Sequence, residues 1–529
     1  MHGGHIIEGQ AVAPGARTFD AIAPATGQPL GPAYAEGGAA EADAALRTAA
    51  AAFEPYRALS PADRARFLRR IATAIEALGD TLIERTIHET ALPEGRLTGE
   101  RARTTGQLHM FADLLEDGSW VGARIDRADP NRRPLPKPDL RRSAVPLGPV
   151  VVFGASNFPY AFSTAGGDTA SALAAGCPVV VKAHPAHPGT GELVAIAIAA
   201  AAAAEGVPPG VFAHLQGSSH ELGRALVTHD LTAAVGFTGS LRAGRALFDA
   251  AAQRPRPIPV YAEMGSVNPV FVLPGALAER AEAIAEGLVA SATLGVGQFC
   301  TNPGLVLTVD GEHTQRFLDA AARAAADVAP ATMLYPGVCH AFREGVERFA
   351  SVQGVDVVGR SSTEADPASN DAGAWVLTTD AETFRSKRQL ADEVFGPSTL
   401  IVRARDVDEL VALARELDGQ LTASVHATTA DLAAYPELVR AVERIAGRVV
   451  FGAFPTGVEV THAMQHGGPY PATTDVRSTS VGTAAIERFV RPVTYQDAPH
   501  AVLPPELRND NPLGIWRLVD GRLTRDALV

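Results

Sequence analysis

The amino-acid sequence predicts an α/β fold with two parallel-sheet domains and a smaller β element. Strand-like and helix-like segments alternate between residues 149 and 205, and the alternation resumes from about 302 to 446. Strands separated by helices of this length form parallel sheets with right-handed crossovers. Proline-rich residues 126–147 and a glycine- and proline-rich tail from 447 interrupt this pattern. The 529 residues are consistent with roughly three units of about 150 residues each.

Composition and charge argue against several classes of function. The content of 46% hydrophobic and 20% charged residues is typical of a globular protein. A formal charge of −13 argues against a nucleic-acid partner or an anionic membrane. Three cysteines, at positions 177, 300 and 339, cannot form a disulfide framework and fit a reducing, cytoplasmic location. The N-terminus lacks a secretory signal, and the longest uncharged apolar run, Leu193–Ala204, is much shorter than the roughly 20 residues that span a bilayer.

The first part of the chain is predicted to be helical after an irregular or stranded lead-in over residues 1–35. Ser60 followed by Pro61 has the pattern of a helix N-cap and first helical position. Amphipathic helices are predicted over 64–78 and 80–90. A third is predicted to begin near Gly99 and to carry Arg103 and Gln107. Arg103 is interpreted either as part of a solvated face or as a substrate contact.

The first parallel sheet is predicted from two successive strand and helix pairs. The strands span 149–154 and 177–182, and the helices span 163–175 and 188–205. Ligands of parallel sheets bind at the carboxyl ends of the strands. Asn157, in the turn after the first strand, and Lys182, at the end of the second, are therefore candidate ligand contacts.

A further strand and helix suggest a phosphate site. The segment 233–240 is predicted to lead into a helix that has Gly239 and Gly244 near its start. Free backbone N–H groups and the helix dipole favour phosphate at such a start. Glycine turns before helices are common, however, and no Gly-x-Gly-x-x-Gly sequence follows any strand.

Cys300 is the candidate nucleophile. It lies in the stretch Gly295-Val-Gly-Gln-Phe-Cys-Thr-Asn-Pro303, after a predicted helix over 276–295. Glycines allow close approach of the backbone to a bound molecule, and an open polar loop favours the reactive thiolate. The alternative is a small buried hydrophobic residue, as most free cysteines are. No histidine is near Cys300 in sequence, which leaves a distant one open, and Cys177 at a strand start and Cys339 in a loop are expected to be inert.

Six motifs in this order resemble the NAD(P)-dependent aldehyde dehydrogenase superfamily over residues 20 to 500. Several stretches are most similar to its 2-oxoglutarate semialdehyde (2,5-dioxopentanoate) dehydrogenases and to its NADP-preferring fatty aldehyde dehydrogenases. Among them are Phe153-Gly-Ala-Ser-Asn-Phe-Pro159 and His466-Gly-Gly-Pro-Tyr-Pro471. The six motifs are Ser156-Asn-Phe-Pro159, Val181-Lys182, Gly236-Phe-Thr-Gly-Ser240, Glu263-Met-Gly265, Gly297-Gln-Phe-Cys300 and Glu393-Val-Phe-Gly-Pro397.

The resemblance implies two Rossmann-like α/β domains plus a small β oligomerisation element. It implies an NAD(P)-binding domain over 1–125 and 147–263 and a catalytic domain over 264–476. Residues 126–146 and 477–529 would form the bridging element and the tail, with a homodimer or homotetramer as the assembly.

The resemblance also implies that Cys300 attacks an aldehyde and forms a thioester. The Asn157 side chain and the Cys300 N–H would bind the oxyanion. Glu263 would be the general base that activates water, with a pKa raised towards neutrality by partial burial. A surface or ion-paired acid is the alternative for Glu263, and a turn or helix cap is the alternative for Asn157.

A coenzyme site is implied along the same motifs. Lys182 would bond the adenosine ribose, and Glu393 would bond the nicotinamide ribose with Phe395 against the ring. The acid often found three residues after the lysine is Pro185 here. NADP is therefore expected to be accepted, alongside NAD. The other implied coenzyme contacts are Phe153, Gly154, Ser156, Gly239, Ser240, Gly244 and Gly265.

The resemblance implies that the substrate is 2-oxoglutarate semialdehyde, a small semialdehyde with a distal carboxylate, and that the product is 2-oxoglutarate. Phe158 and Phe299 are interpreted as walls of the aldehyde channel, and Arg103, Gln107 and His466 as candidates for the distal group. No metal site is expected, because the His462 to His466 pair, predicted on a helix, has no third ligand in sequence. The alternatives are a broad-specificity or fatty aldehyde dehydrogenase, a coenzyme-independent thiol esterase and a structural protein that kept the fold.

Overall fold

The computed structural model describes residues 1–528. The chain begins with four short strands and four helices, and Ser60 caps the second helix by accepting a hydrogen bond from the Asp63 N–H at 3.1 Å. The strands are β1 (His5–Ile7), β2 (Gln10–Val12), β3 (Thr18–Ile22) and β4 (Pro29–Ala35). The helices are α1 (Ala39–Arg57), α2 (Pro61–Glu76), α3 (Gly79–Thr90) and α4 (Glu94–Asp117).

Helix α4 begins at Glu94, so the predicted start near Gly99 was wrong. Pro93 has an extended backbone and sets the first turn, as proline favours at a helix start. Gly95 and Gly99 lower the local helix propensity, but packing of α4 on α2 overrides that preference. The additional turn adds Arg96 to the helix.

A seven-stranded sheet fills the first half of the molecule. Its order is β11-β10-β7-β8-β9-β1-β2, and the strands from β11 to β9 are parallel. Two strands that belong to another sheet, β5 (Arg124–Asp126) and β6 (Leu140–Pro146), precede its central strands. The sheet elements are β7 (Val150–Phe153), α5 (Gly167–Ala175), β8 (Val179–Lys182), α6 (Pro188–Ala204), β9 (Phe212–Leu215), α7 (His220–Thr228), β10 (Ala234–Thr238), α8 (Leu241–Ala252) and β11 (Val260–Glu263).

The helix predicted from Ser163 begins only at Gly167. Residues before it form a compact turn, in which the Ala155 N–H donates to the Phe162 carbonyl at 2.9 Å. This turn buries Phe158 and Phe162 beside the predicted nucleophile loop.

The second half contains another seven-stranded sheet, with the order β15-β17-β18-β13-β12-β19-β20. All its strand pairs are parallel except β15 with β17. The elements are β12 (Val270–Val272), α9 (Pro274–Thr293), β13 (Leu305–Val309), α10 (Glu312–Ala326), β14 (Ala331–Thr332), α11 (Pro336–Ala350), β15 (Asp356–Arg360), β16 (Asp371–Ala372), β17 (Trp375–Asp380), α12 (Ala381–Ser386), β18 (Ser398–Ala404), α13 (Val407–Glu416), β19 (Gln420–His426), α14 (Thr429–Ala434), α15 (Pro436–Ile445) and β20 (Ala446–Phe451).

Two local predictions in this half were wrong. Cys339 lies in helix α11 and not in a loop, because the apolar face of that helix is buried in the core. The segment from His462 to His466 is not helical. Its backbone instead bonds to a later segment of the chain, where the His466 N–H donates to Thr479 Oγ1 at 2.8 Å.

A five-stranded sheet joins residues 124–146 to the C-terminal part of the chain, in the order β21-β6-β5-β22-β23. Its last strands are β21 (Val490–Gln496), β22 (Arg517–Val519) and β23 (Arg522–Thr524). A separate small core around Ile125 and Leu507 supports it. The two parallel sheets and this β element confirm the predicted fold class.

None of the helices over residues 1–528 is both long and apolar enough to cross a membrane.

Candidate active site

The predicted nucleophile and the predicted base meet where the two large sheets adjoin. Glu263 is the last residue of β11 in the first sheet, and Cys300 follows α9, which precedes strands of the second. His466 reaches the same point from the irregular segment after β20. The Cys300 thiol, a Glu263 carboxylate oxygen and a His466 ring nitrogen all lie within 4.8 Å of one another.

A strained turn holds the Cys300 backbone in place. Gly297 has a φ of +65°, and a Cβ there would lie 2.2 Å from the Gly396 backbone, so only glycine fits. Val296 also has a positive φ, of +58°, which is rare for a β-branched residue. The Asn268 side chain donates to the Cys300 carbonyl at 2.9 Å. Asn268 lies three residues after the motif Glu263-Met-Gly265 and was not predicted from the sequence.

The Cys300 thiol is less acidic than expected. Burial raises its pKa well above the ordinary thiol range, and the Glu263 carboxylate raises it further, while Arg103 acts in the opposite direction. The expectation that the loop is open and favours the thiolate was therefore wrong. The physical reason is that the side chain is enclosed and faces a carboxylate.

Glu263 is more acidic than expected. Burial alone would raise its pKa, but His466 and Ser480 outweigh it, so the pKa lies below the usual glutamate value. His466 Nε2 lies 3.0 Å from Oε1, and the Ser480 hydroxyl donates to Oε2. The predicted rise towards neutrality was wrong, because these hydrogen-bonding partners stabilise the ionised carboxylate.

His466 lies at the reacting group and not at a distal subsite. Its Nε2 is 3.4 Å from Cys300 Sγ, and the ring is fully buried. His466 is therefore the histidine, distant in sequence, whose proximity to Cys300 the sequence did not exclude. Its position depends on an irregular segment without periodicity, so no pattern in the sequence indicated the contact.

The Asn157 side chain faces the nucleophile loop. Its amide nitrogen donates to the Gln298 carbonyl at 3.1 Å. Its own backbone carbonyl accepts a hydrogen bond from Arg96 at 2.6 Å. The Cys300 N–H has no backbone or side-chain acceptor among the described residues.

A cavity of about 210 Å³ opens onto Cys300. Three phenyl rings, those of Phe158, Phe162 and Phe299, line it together with Val458. Two guanidinium groups lie over these rings, with the Arg96 carbon 4.7 Å from the Phe299 centroid and the Arg103 carbon 5.3 Å from that of Phe162.

The guanidinium groups keep unused donors. Arg103 Nε and Nη2 and Arg96 Nη1 are buried and have no hydrogen-bond partner in residues 1–528. Glu100, one turn along α4, also lines the cavity but accepts hydrogen bonds from the Tyr160 and Ala161 amides. Gln107, the other predicted contact on α4, is buried near Gly167 and is not among the residues that line the cavity.

The predicted coenzyme residues of the first sheet lie at the carboxyl ends of adjacent strands. Phe153 and Lys182 are register partners on β7 and β8, and Gly154 and Ser156 follow β7. Burial lowers the pKa of Lys182 to about 8, and Glu36 acts in the opposite direction.

The start of α8 follows β10 at the same edge. Ser240 caps α8 by accepting a hydrogen bond from the Ala243 N–H at 3.3 Å. The Gly239 N–H donates to the Glu263 carbonyl at 3.0 Å. A Cβ on Gly244 would lie 2.7 Å from Met264, so glycine allows the helix to approach the adjoining segment.

Glu36 is a charged neighbour of Lys182 that the sequence analysis missed. Its carboxylate accepts hydrogen bonds from the Ser218 and Ser219 amides at 2.9 Å each. Burial opposes ionisation, but these bonds lower its pKa to about 2. No sequence signal joined Glu36 to a lysine so far along the chain.

On the second sheet, Glu393 and Phe395 lie together beside the Gly265 segment. Both line a small cavity with Ser266, whose N–H lies 3.4 Å from Glu393 Oε1. A Cβ on Gly265 would lie 2.5 Å from the same carboxylate. Gly265 lies two residues after Glu263, so the Glu393 carboxylate adjoins the end of β11 in the first sheet.

Comparison with known sequences identifies the family. The model of the aldehyde dehydrogenase family matches residues 12–490. The chain belongs to the aldehyde dehydrogenase family. Alpha-ketoglutaric semialdehyde dehydrogenase 2 of Azospirillum brasilense is 52% identical over 523 residues, which are 99% of each chain. Alpha-ketoglutaric semialdehyde dehydrogenase of Acinetobacter baylyi is 46% identical over 526 residues, also 99% of each chain.

Solved structures of this family share the fold. Aldehyde dehydrogenase C of Pseudomonas syringae, crystallised with NAD⁺ and octanal, has a TM-score of 0.79 at 22% identity, covering 94% of this chain and 97% of that one. A 1-pyrroline-5-carboxylate dehydrogenase of Thermus with bound NAD has a TM-score of 0.79 at 21% identity, covering 94% and 92%. The superfamily resemblance inferred from the six motifs is thus confirmed.

Proposed function

We propose that this aldehyde dehydrogenase oxidises 2-oxoglutarate semialdehyde to 2-oxoglutarate with NAD or NADP. The observation that carries the proposal is the pair of guanidinium groups, Arg96 and Arg103, in the cavity that contains Cys300. The names of the two relatives at 52% and 46% identity support the same substrate.

The electrostatics of the cavity favour a distal carboxylate. Burial lowers the pKa of both Arg96 and Arg103, so their charges are poorly solvated. Glu100 offsets part of that charge, but its own pKa is raised by burial. A substrate carboxylate would supply the missing acceptor for the unused guanidinium donors, which bind planar anions well.

Thiolate formation at Cys300 is assigned to Glu263. Its carboxylate is ionised and lies within 4.8 Å of the thiol, so it is positioned to accept the thiol proton. The thiolate then attacks the aldehyde carbon, and the oxyanion receives hydrogen bonds from the Asn157 side chain and the Cys300 N–H. A bound nicotinamide would accept the hydride and leave a thioester on Cys300. Glu263 then releases the thiol proton to solvent, and the regenerated carboxylate deprotonates the water that hydrolyses the thioester and releases the acid.

His466 is assigned to hold Glu263 and to stabilise the thiolate. Nε2 carries a hydrogen, because it faces a Glu263 carboxylate oxygen at 3.0 Å. When Glu263 takes the thiol proton, this N–H can turn towards Sγ, which is 3.4 Å away. The proton of Cys300 therefore moves without leaving an unpaired buried charge.

The coenzyme would lie along the sheet edge. Lys182 would contact the adenosine ribose, and the start of α8 at Ser240 would bind the diphosphate through free N–H groups. Glu393 and Phe395 would hold the nicotinamide end from the second sheet. Residues 183–191, which follow Lys182, contain no acid that would repel the 2′-phosphate of NADP. The Glu36 carboxylate would repel that phosphate and so favours NAD. We therefore propose that both coenzymes are accepted.

Assembly and location are proposed on more general grounds. The strands β20 and β21 are unpaired sheet edges, and exposed apolar side chains such as Trp516 and Leu523 lie near the five-stranded sheet. These features support a homodimer or homotetramer. Three free cysteines support the reducing cytoplasm as its location.

Arg103→Met tests the substrate assignment. The expected effect is a loss of about 10- to 100-fold in kcat/KM for 2-oxoglutarate semialdehyde, since a hydrogen bond to a charged group is worth about 1.5–3 kcal/mol. The neutral aldehyde pentanal serves as the matched control, and its kcat/KM should change little. An equal loss for both aldehydes would contradict a carboxylate contact.

Two further variants test the chemistry. Cys300→Ala should abolish aldehyde oxidation while the circular-dichroism spectrum remains that of the wild type. Glu263→Gln should lower steady-state turnover by about 10²–10⁴-fold, the range for loss of a general base. A normal steady-state rate in Glu263→Gln would remove this residue from the mechanism.

A longer apolar aldehyde is the second candidate substrate. The observation that favours it is the run of three phenyl rings along the cavity. Octanal and 2-oxoglutarate semialdehyde should be compared by kcat/KM with each coenzyme, and a higher value for octanal would favour the fatty aldehyde.

A further inference from the structure

We propose that Cys300, Glu263 and His466 form a reversible binding site for Zn²⁺, which inhibits the enzyme by occupying its nucleophile. The sequence analysis expected no metal, because His462 and His466 offered only two ligands. The structure removes that objection by bringing a thiol and a carboxylate to His466, while His462 is exposed and outside the cluster. The inhibition rests on the proposed role of Cys300, whereas the binding does not.

The separations of the ligand atoms suit a tetrahedral ion. Zinc bonds of about 2.3 Å to sulfur and about 2.0–2.1 Å to nitrogen or oxygen place neighbouring ligands about 3.3–3.6 Å apart. Cys300 Sγ and His466 Nε2 are 3.4 Å apart, and Nε2 and Glu263 Oε1 are 3.0 Å apart. All three ligand atoms lie within 4.8 Å of one another, so side-chain rotations would bring them to these separations.

The ligand types also match. Thiolate, imidazole and carboxylate together are ligands that zinc prefers over magnesium or calcium. Three protein ligands leave a fourth position, which faces the cavity at Cys300 and can hold water. An ion bound there would block attack on the aldehyde, so inhibition should be competitive with the aldehyde.

Binding requires one proton to leave. A sulfur–zinc bond forms as the Cys300 S–H bond breaks, and that proton passes to solvent. Zinc binds a neutral imidazole and an ionised carboxylate, so a His466 ring that binds the ion through Nε2 carries its hydrogen on Nδ1. The charges balance, because the dication and the singly negative site give a neutral complex and one released proton, and no oxidant or reductant is involved.

Two features predict that the ion leaves again. His466 Nδ1 is buried and has no acceptor within residues 1–528, whereas histidines in tight zinc sites usually donate through that second nitrogen. Arg103 lies close enough to act on the charges of both Cys300 and Glu263, and it repels a cation. The site should therefore be regulatory and open to chelators.

Titration of the metal-free full-length enzyme with Co²⁺ tests binding without turnover. We expect one ion per chain, a thiolate-to-cobalt charge-transfer band and visible bands of tetrahedral intensity. Cys300→Ser, which keeps Cys177 and Cys339, should lose the charge-transfer band. His466→Gln and Glu263→Gln should each weaken Zn²⁺ competition for Co²⁺ by at least about 10- to 100-fold, the cost of losing even a neighbour of a metal ligand.

The matched control is His462→Gln, which removes an exposed histidine of the same segment and should leave the titration unchanged. In activity assays Zn²⁺ should inhibit the wild type competitively with the aldehyde, and a chelator should restore the rate. A charge-transfer band that survives in Cys300→Ser, or Zn²⁺ affinity unchanged in His466→Gln, would overturn the site. If the wild type bound the ion as described but oxidised no aldehyde, the proposed function would fail and the metal site would stand.

Discussion

At the residue scale, Cys300 and Glu263 determine each other's protonation. Glu263 is buried and Cys300 is partly buried, and removal from water disfavours both charged forms. His466 and Ser480 stabilise the glutamate anion, and that anion then disfavours the thiolate beside it. The resting state is therefore a protonated thiol next to an ionised carboxylate.

This coupling predicts the pH dependence of alkylation by iodoacetamide. Because the pKa of Cys300 is raised, the alkylation rate of the free enzyme should still be rising above the pH range of an ordinary thiol. Glu263→Gln removes the negative charge, lowers the pKa of Cys300 and should shift the profile to lower pH. Mass spectrometry of the peptide that contains Cys300 measures the rate. An unshifted profile in Glu263→Gln would contradict the coupling.

Glu36 gives a second prediction at this scale. Its carboxylate would repel a 2′-phosphate near Lys182, so Glu36→Gln should raise kcat/KM for NADP relative to NAD. A repulsion of about 1 kcal/mol corresponds to about a fivefold change. Glu41→Gln is the matched control, because Glu41 also accepts a backbone N–H at a helix start but is not a charge partner of Lys182. Equal effects of the two variants would rule out a specific role for Glu36.

At the element scale, α4 explains why half of the proposed anion site was missed from sequence. Arg96, Glu100 and Arg103 are spaced by four and three residues, so they share one helix face. The predicted start near Gly99 left out the first turn of α4, which carries Arg96. The packing of α4 on α2, which accompanies the earlier start, is a tertiary contact that a single sequence does not display.

The cap of α2 gives a prediction about stability. Ser60→Ala removes the acceptor for the Asp63 N–H and should lower the free energy of unfolding by about 0.5–2 kcal/mol. Urea denaturation followed by circular dichroism measures this change. Ser60→Asn is the control and should retain most of the stability, since asparagine caps as well as serine. Activity should be unaffected because the cap is remote from the cavity.

At the scale of the whole molecule, the active site exists only where the two sheets meet. Sequence patterns predicted the strands, their parallel order in α/β units and the motif residues at their ends. They could not predict how two sheets pack, so the contact of His466 with Cys300 and the charge of Glu36 beside Lys182 were invisible. His466 and Cys300 are far apart in sequence, and His466 comes from an irregular segment. Glu36 and Lys182 are also far apart, and Glu36 directly follows the lead-in strand β4.

The C-terminal tail gives the last prediction. The family match ends at residue 490. The residues after it form part of the structure, because β22 pairs with β5 and extends the five-stranded sheet. Leu503 and Leu507 of this tail pack in one core with Ile125. Truncation after Gln496 should therefore expose an apolar core and a sheet edge, lower the melting temperature and change the mass measured by light scattering. No predicted catalytic residue lies in the removed segment, so kcat per folded subunit should persist.

Arg517→Met is the milder form of the same test. Arg517 is fully buried and donates to the carbonyls of Arg508, Asn509 and Asp526, so its loss leaves these acceptors unpaired within the tail. Its melting temperature should fall between those of the wild type and the truncated chain. If both variants keep the melting temperature and mass of the wild type, the tail contributes to neither stability nor assembly. A loss of kcat that matches the loss of mass would instead mean that the crevice between the sheets depends on a second subunit.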